Sequence, residues 1–193
     1  MRAVTIDGAE RRHSHVLQQP LAAPRMGVML HYDDSSRDDW AVAWFSDPRC
    51  TNGYTWLVLD DGRVIELASP ALRTPHAGIC RTPNANSAFY GLAAATNGRV
   101  PVTKKQFDAM VRVCARVFTA HGWAAESVAA RIVGHDTEAL WSAASTPKRE
   151  LWGTLGRKVD PTGTRADGVP VLAVTSVRSA VKAALERDSR GEA

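Results

Sequence analysis

Apolar residues in this chain are gathered into short runs, each broken by turn chemistry before it is long enough for a buried helix. "GVMLHYD" (27–33) reads as a buried strand ending in His31. "YTWLVLDDGRVIEL" (54–67) reads as a hairpin, its two apolar halves flanking the tight-turn sequence Asp60-Asp61-Gly62. "YGLAAAT" (90–96) is rich in small residues, as a central strand is, and "RIVGHD" (131–136) is a short strand running into His135. Helical patterning lies between and after them. Ser35 or Ser36 is placed to cap a helix with Asp38 and Asp39 in its first turn and Pro48 beyond its end. Thr103 and Gln106 form a capping box, and Phe107, Met110, Val111, Cys114, Val117 and Phe118 then share one face up to Gly122. "GVPVLAV" reads as a terminal strand or extended arm and "TSVRSAVKAALER" as a last helix. The opening 24 residues, polar and proline-punctuated, are expected to wrap the surface. This alternation predicts an α/β fold, one domain over 1–193, with a central mixed sheet flanked by helices.

Composition narrows the function classes. A chain of 193 residues can bury a sizeable core as one domain. No apolar run approaches the roughly 20 residues that span a bilayer, so stable membrane insertion is not expected. The basic N-terminus lacks the apolar core of a secretory leader, and the expectation is a protein made in the cytoplasm without a signal peptide. Cys50, Cys80 and Cys114 are odd in number and lack C-x-x-C spacing, which argues against a disulfide framework and a thiolate zinc knuckle. A net charge of +4 suits an acidic partner. Its Lys and Arg residues are scattered, with no basic run of the kind that tracks nucleic acid, and no nucleic-acid partner is expected.

Two histidines occupy matching settings. His31 and His135 each end a short apolar strand where a polar loop begins, and parallel strands bring such ends to one rim of a sheet. Further on, "GRKVDPTG" (156–163) sets Asp160 before Pro161, which biases it towards extended backbone. Taken alone, that stretch reads as a solvated loop. Two imidazoles and a carboxylate, however, are the donor set of a catalytic zinc with an open fourth position. The 104 residues from His31 to His135 and the 25 to Asp160 match no short zinc pattern.

The chain resembles the zinc-dependent N-acetylmuramoyl-L-alanine amidases of the type 2 family, which includes phage endolysins and peptidoglycan recognition proteins. Five stretches carry the resemblance in order: "MLHYD", "GYTWLVLDDGRVIEL", "PHAG" leading into "NANSAFYG", "IVGHD" and "GRKVDPTG". It implies a catalytic core over 27–163, with 164–193 as an arm and helix packed upon it. It implies one Zn2+ at a rim of the sheet, bound by His31, His135 and Asp160, with Tyr54 and Lys158 beside the metal as catalytic groups. His76 is implied to contact substrate from the groove wall, against a plain reading as a loop-ordering hydrogen bond, and Asn86 to order the same loop. The partners implied are peptidoglycan or muropeptides, met by a monomer. One departure stands out: Gly91 occupies the place where many members carry a glutamate as candidate general base.

The remaining residues read more plainly. Cys114 is core, His121 meets the negative end of its helix as a partly cationic imidazole, and His13 and His15 carry no role. Trp40, Trp44 and Trp56 read as core or groove lining, and Trp141 and Trp152 lie between the second and third donors. The resemblance thus implies an amidase that cuts peptidoglycan, as a phage or prophage endolysin does. Alternatives are an inactive peptidoglycan-binding module, a cytoplasmic muropeptide-recycling amidase, and an unrelated α/β protein.

Overall fold

A computed structural model describes residues 4–13, 19–35, 37–78, 80–138 and 170–192. Lys158 and Asp160, with His15, Trp141 and Trp152, lie outside the described residues. Six strands form one mixed sheet: β1 (Glu10–Arg11), β2 (Gly27–Tyr32), β3 (Trp56–Val58), β4 (Val64–Glu66), β5 (Phe89–Ala94) and β6 (Ile132–Gly134), in the order β1-β4-β3-β5-β2-β6. β2 runs parallel to both β5 and β6, β3 runs parallel to β5, and β4 returns antiparallel to β3. The hairpin turn falls on Asp60-Asp61-Gly62 as expected, closed by Leu59 N–H to the Arg63 carbonyl at 2.9 Å. "YGLAAAT" is indeed interior, with β5 between β3 and β2.

The sheet separates two apolar layers because strand side chains alternate between faces. Val28 and Leu30 of β2 and Tyr90 and Leu92 of β5 point to one face. There they meet α3 (Lys104–His121) and the C-terminal helix (Val174–Ser189) through Met110, Cys114, Phe118, Val177 and Val181. α3 follows its sequence signals at both ends: Thr103 and Gln106 make the reciprocal capping box, and Gly122 takes the left-handed C-cap at φ 66°. The opposite face carries Met29, Phe89 and Val133 under the short helix α2 (Ala85–Ala88), and Leu57, Ile65 and Ala93 under α1 (Asp38–Ser46). His31 and Gly91 belong to this second face by the same alternation, and His135 follows directly after β6.

Two local expectations give way to tertiary structure. The N-cap of α1 is Arg37, not a serine, and its side chain makes no capping bond; Asp38 instead accepts the Asp60 backbone N–H across to the hairpin. The opening segment does more than wrap the surface: Glu10–Arg11 adds an edge strand beside β4 and Val4 enters the core. Of the two forms open to "GVPVLAV", residues 170–173 take that of an arm: Val102 N–H donates to the Val171 carbonyl at 3.0 Å and Leu172 is buried in the core. Among the described residues no helix is long and apolar enough to cross a membrane.

Candidate metal and substrate site

Neighbouring parallel strands bring the two histidines together. Leu30 of β2 is in register with Gly134, the last residue of β6, so His31, the next residue of β2, and His135, which opens a helical turn directly after β6, follow at the same level. Their ring centroids are 4.5 Å apart and both side chains are buried. Tyr54 closes a third side, its ring centroid 5.0 Å from that of His31 and its hydroxyl donating to the Tyr32 carbonyl at 3.4 Å. The Tyr54 backbone is placed by its neighbour, since Thr55 N–H donates to the Gly91 carbonyl at 2.9 Å.

The "PHAG" loop supplies the floor. His76 is only 8% exposed, and its Nδ1 lies 3.0 Å from His31 Nε2 while its Nε2 lies 3.1 Å from the Phe89 carbonyl. His135 Nε2 lies 2.9 Å from the Ala77 carbonyl. Asn86 Oδ1 accepts the backbone N–H groups of both His76 (2.9 Å) and Ala77 (2.7 Å). Burial, with His31 next to it, holds the His76 pKa well below its ordinary value, so this ring is neutral.

These contacts determine which nitrogens carry protons. A carbonyl oxygen only accepts, so Nε2 of His76 and Nε2 of His135 are the donors. A neutral His76 then has its lone pair at Nδ1, and His31 Nε2–H donates to it. His31 and His135 therefore each turn Nε2 to a protein acceptor, and Nδ1 is the other ring nitrogen of each. Two imidazoles, adjacent, buried and oriented through Nε2 by protein acceptors, are what a zinc centre requires of its histidines. The donor chemistry fits the metal that the sequence implies. Among the described residues no group of three metal-binding side chains is assembled, and the third expected donor, Asp160, lies outside them.

Other sequence expectations resolve differently. Trp56 is fully buried, whereas Trp40 and Trp44 are 58% and 50% exposed. The latter two line an open groove of about 490 Å³ that begins at Asp33 and Asp34, just past the end of β2. His121 is structural as expected, accepting or donating at 2.9 Å with the Tyr90 hydroxyl and stacking on Trp123. It is not partly cationic: burial and the nearby Arg25 and Arg131 push its pKa down, opposing the helix dipole. His13, given no role, is 2.8 Å from Glu66.

Arg25 is the residue that sequence reasoning passed over. Its guanidinium donates to the carbonyls of Ser87, Phe89, Pro70 and Leu72 and lies 4.1 Å over the Tyr90 ring. It joins the loop before "PHAG" to the start of β5, and the Phe89 carbonyl it holds also receives His76. An arginine immediately ahead of a buried strand, in "APRMGVML", was the one available signal. Asp33 was likewise unread: burial raises its pKa while Thr96 N–H and Ser35 N–H bond it, which fixes the loop after His31.

No curated protein matches the chain in sequence. Solved structures do match in fold. A selenomethionine derivative of AmpD superposes with a TM-score of 0.68 at 17% identity, over 93% of this chain and 97% of that one. The Staphylococcus aureus hydrolase AmiA, in complex with its ligand, gives 0.61 at 14% identity over 95% and 85%. The E. coli amidase AmiD, complexed with anhydro-N-acetylmuramic acid-L-Ala-D-γ-Glu-L-Lys, gives 0.57 at 19% identity over 84% and 60%. Residues 22–163 match the family described as N-acetylmuramoyl-L-alanine amidase, a span that holds both histidines, the "PHAG" loop and "GRKVDPTG". The chain belongs to the N-acetylmuramoyl-L-alanine amidase family.

Proposed function

We propose that this protein is a zinc-dependent hydrolase of peptidoglycan that cuts the amide between the lactyl group of N-acetylmuramic acid and the L-alanine of the stem peptide, acting on the wall as an endolysin does. The observation that carries the reading is the meeting of His31 and His135 as two buried imidazoles, each turned by a protein acceptor at Nε2. His31, His135 and Asp160 would hold the ion. When bound, zinc supplies Lewis acidity and a coordinated water that ionises near neutral pH. Tyr54 and Lys158 would donate to the oxyanion that develops on the scissile carbonyl, and one such donor is typically worth about 100-fold in rate. Gly91 offers no carboxylate, so proton movement is assigned to Tyr54 and Lys158. His76 and Asn86 are proposed to act from the loop that flanks the substrate.

Two further features support a cell-wall substrate. Trp40 and Trp44 expose flat apolar faces in a groove continuous with the end of β2, a place suited to sugar rings. A net charge of +4 suits an acidic polymer such as the wall. The test is turbidity loss of purified sacculi, with and without a chelator, run beside release of L-Ala-peptide from soluble anhydro-muropeptides. Chelator-sensitive lysis that is lost in His135→Ala supports the proposal. Lysis that survives both treatments, or activity confined to soluble muropeptides, overturns it in whole or in its endolysin part respectively.

A further inference from the structure

The dipeptide His76-Ala77 touches both histidines at once. His76 Nδ1 faces His31 Nε2 at 3.0 Å, and the Ala77 carbonyl faces His135 Nε2 at 2.9 Å. The dipeptide is itself clamped, because Asn86 Oδ1 takes both of its backbone N–H groups. The position of the His76 ring depends on one more residue. A Cβ built on Gly91 would lie 2.7 Å from His76 Cγ, 3.0 Å from Cδ2 and 3.1 Å from Cβ. Carbon atoms do not approach so closely, and the contacts are with the base of the ring and the side chain's own Cβ rather than with a flexible tip. Any side chain at 91 would therefore lift the ring off β5, away from the Phe89 carbonyl and from His31.

We propose that Gly91 and His76 are a fitted pair: the glycine vacates the space in which His76 sits, and His76, with Ala77 and Asn86, fixes His31 and His135 with their Nδ1 lone pairs towards one ion. His76 is on this view a positioning residue, and Gly91 is the seat of that residue rather than the trace of a lost acid. The proposal rests on the reading of His31 and His135 as metal donors, but it makes a claim about the metal-free protein that can be tested by itself. Partners that orient metal-binding histidines are typically worth about 10- to 100-fold in metal affinity.

The experiment uses the full chain labelled with 15N-histidine. Long-range proton–nitrogen correlation reads each tautomer in the metal-free protein, and competition with a chromophoric chelator reads zinc affinity. The wild type is expected to show Nε2–H for His31 and His135. His76→Ala should release the His31 tautomer and weaken zinc by about 10- to 100-fold. His76→Asn, whose carboxamide oxygen can still accept from His31, should recover most of that loss. Gly91→Ala should mimic His76→Ala, yet cost no more than about twofold when His76 is already alanine, because coupled sites are not additive. Equal losses in His76→Asn and His76→Ala overturn the proposal even if Gly91→Ala does not fold. An Nδ1–H tautomer for His31 in the wild type, or independent multiplying effects at 76 and 91, also overturn it. A wild type with both tautomers as stated but no zinc binding refutes the amidase reading and leaves the Gly91–His76 pairing supported by the tautomer measurements.

Discussion

Arg25 is 5% exposed, and whether its charge helps or harms the fold can be worked from its surroundings. Burial holds its pKa down to about 10 from an ordinary 12.5. At about 1.4 kcal/mol per pH unit, that is a cost near 3 kcal/mol to the charged form. Against it stand four bonds to backbone carbonyls, at 2.9, 2.7, 3.2 and 2.5 Å. Bonds from a charged donor are worth at least about 1.5 kcal/mol each, so together they contribute about 6 kcal/mol. The face of Tyr90 adds about 1 kcal/mol. The bonds win by about 4 kcal/mol, and Arg25→Met, which leaves the carbonyls but returns about 1 kcal/mol through its own contact with the Tyr90 ring, is expected to destabilise by about 3 kcal/mol. With a urea slope of about 2 kcal/mol/M for a domain of this size, the midpoint should fall by about 1.5 M. Arg25→Lys should recover little, since an ammonium cannot serve four carbonyls with a planar fork. A midpoint for Arg25→Met equal to or above the wild type would show that desolvation dominates, and the reasoning would be wrong.

Other perturbations have equally definite outcomes. Lys158→Ala should slow wall lysis by about 100-fold while zinc content, read by metal analysis, stays at the wild-type level; loss of zinc would contradict its role at the oxyanion. Tyr54→Phe should lower kcat by about 10- to 100-fold with KM little changed, because the hydroxyl is assigned to the transition state. Burial alone pushes the Cys114 thiol up to about 12 from 9.0. The folded state therefore keeps this proton while the unfolded chain loses it, so the stability it supports is intact below pH 9 and declines between 9 and about 12. Urea denaturation across that range should show a steeper decline for the wild type than for Cys114→Ala, by up to about 1.4 kcal/mol per pH unit. Thr103→Ala removes the acceptor of Gln106 N–H and should cost about 1 kcal/mol, read as a lower thermal midpoint.

What the sequence alone determined is what is local. The hairpin about Asp60-Asp61-Gly62, the box that opens α3, the glycine that closes it and the apolar runs of β2, β5 and β6 are each set by residues within a few positions of one another. His31 and His135 were legible for the same reason, as polar residues ending apolar runs. What lies between segments distant in the chain was not legible. Strand order put β2 beside β6 and thereby set two imidazoles 104 positions apart at one level. A Cβ that is absent at Gly91 shows its purpose only when His76 is seen in the vacated space. Arg25 reads as surface until four carbonyls from two other segments surround it. Ser35 and Ser36 read as caps, but the start of α1 answers to Asp38 and its bond to the distant hairpin. Caps and turns draw on energies supplied within a few residues, whereas a buried polar group is stable only if partners from elsewhere in the chain satisfy it, and only the folded molecule specifies those partners.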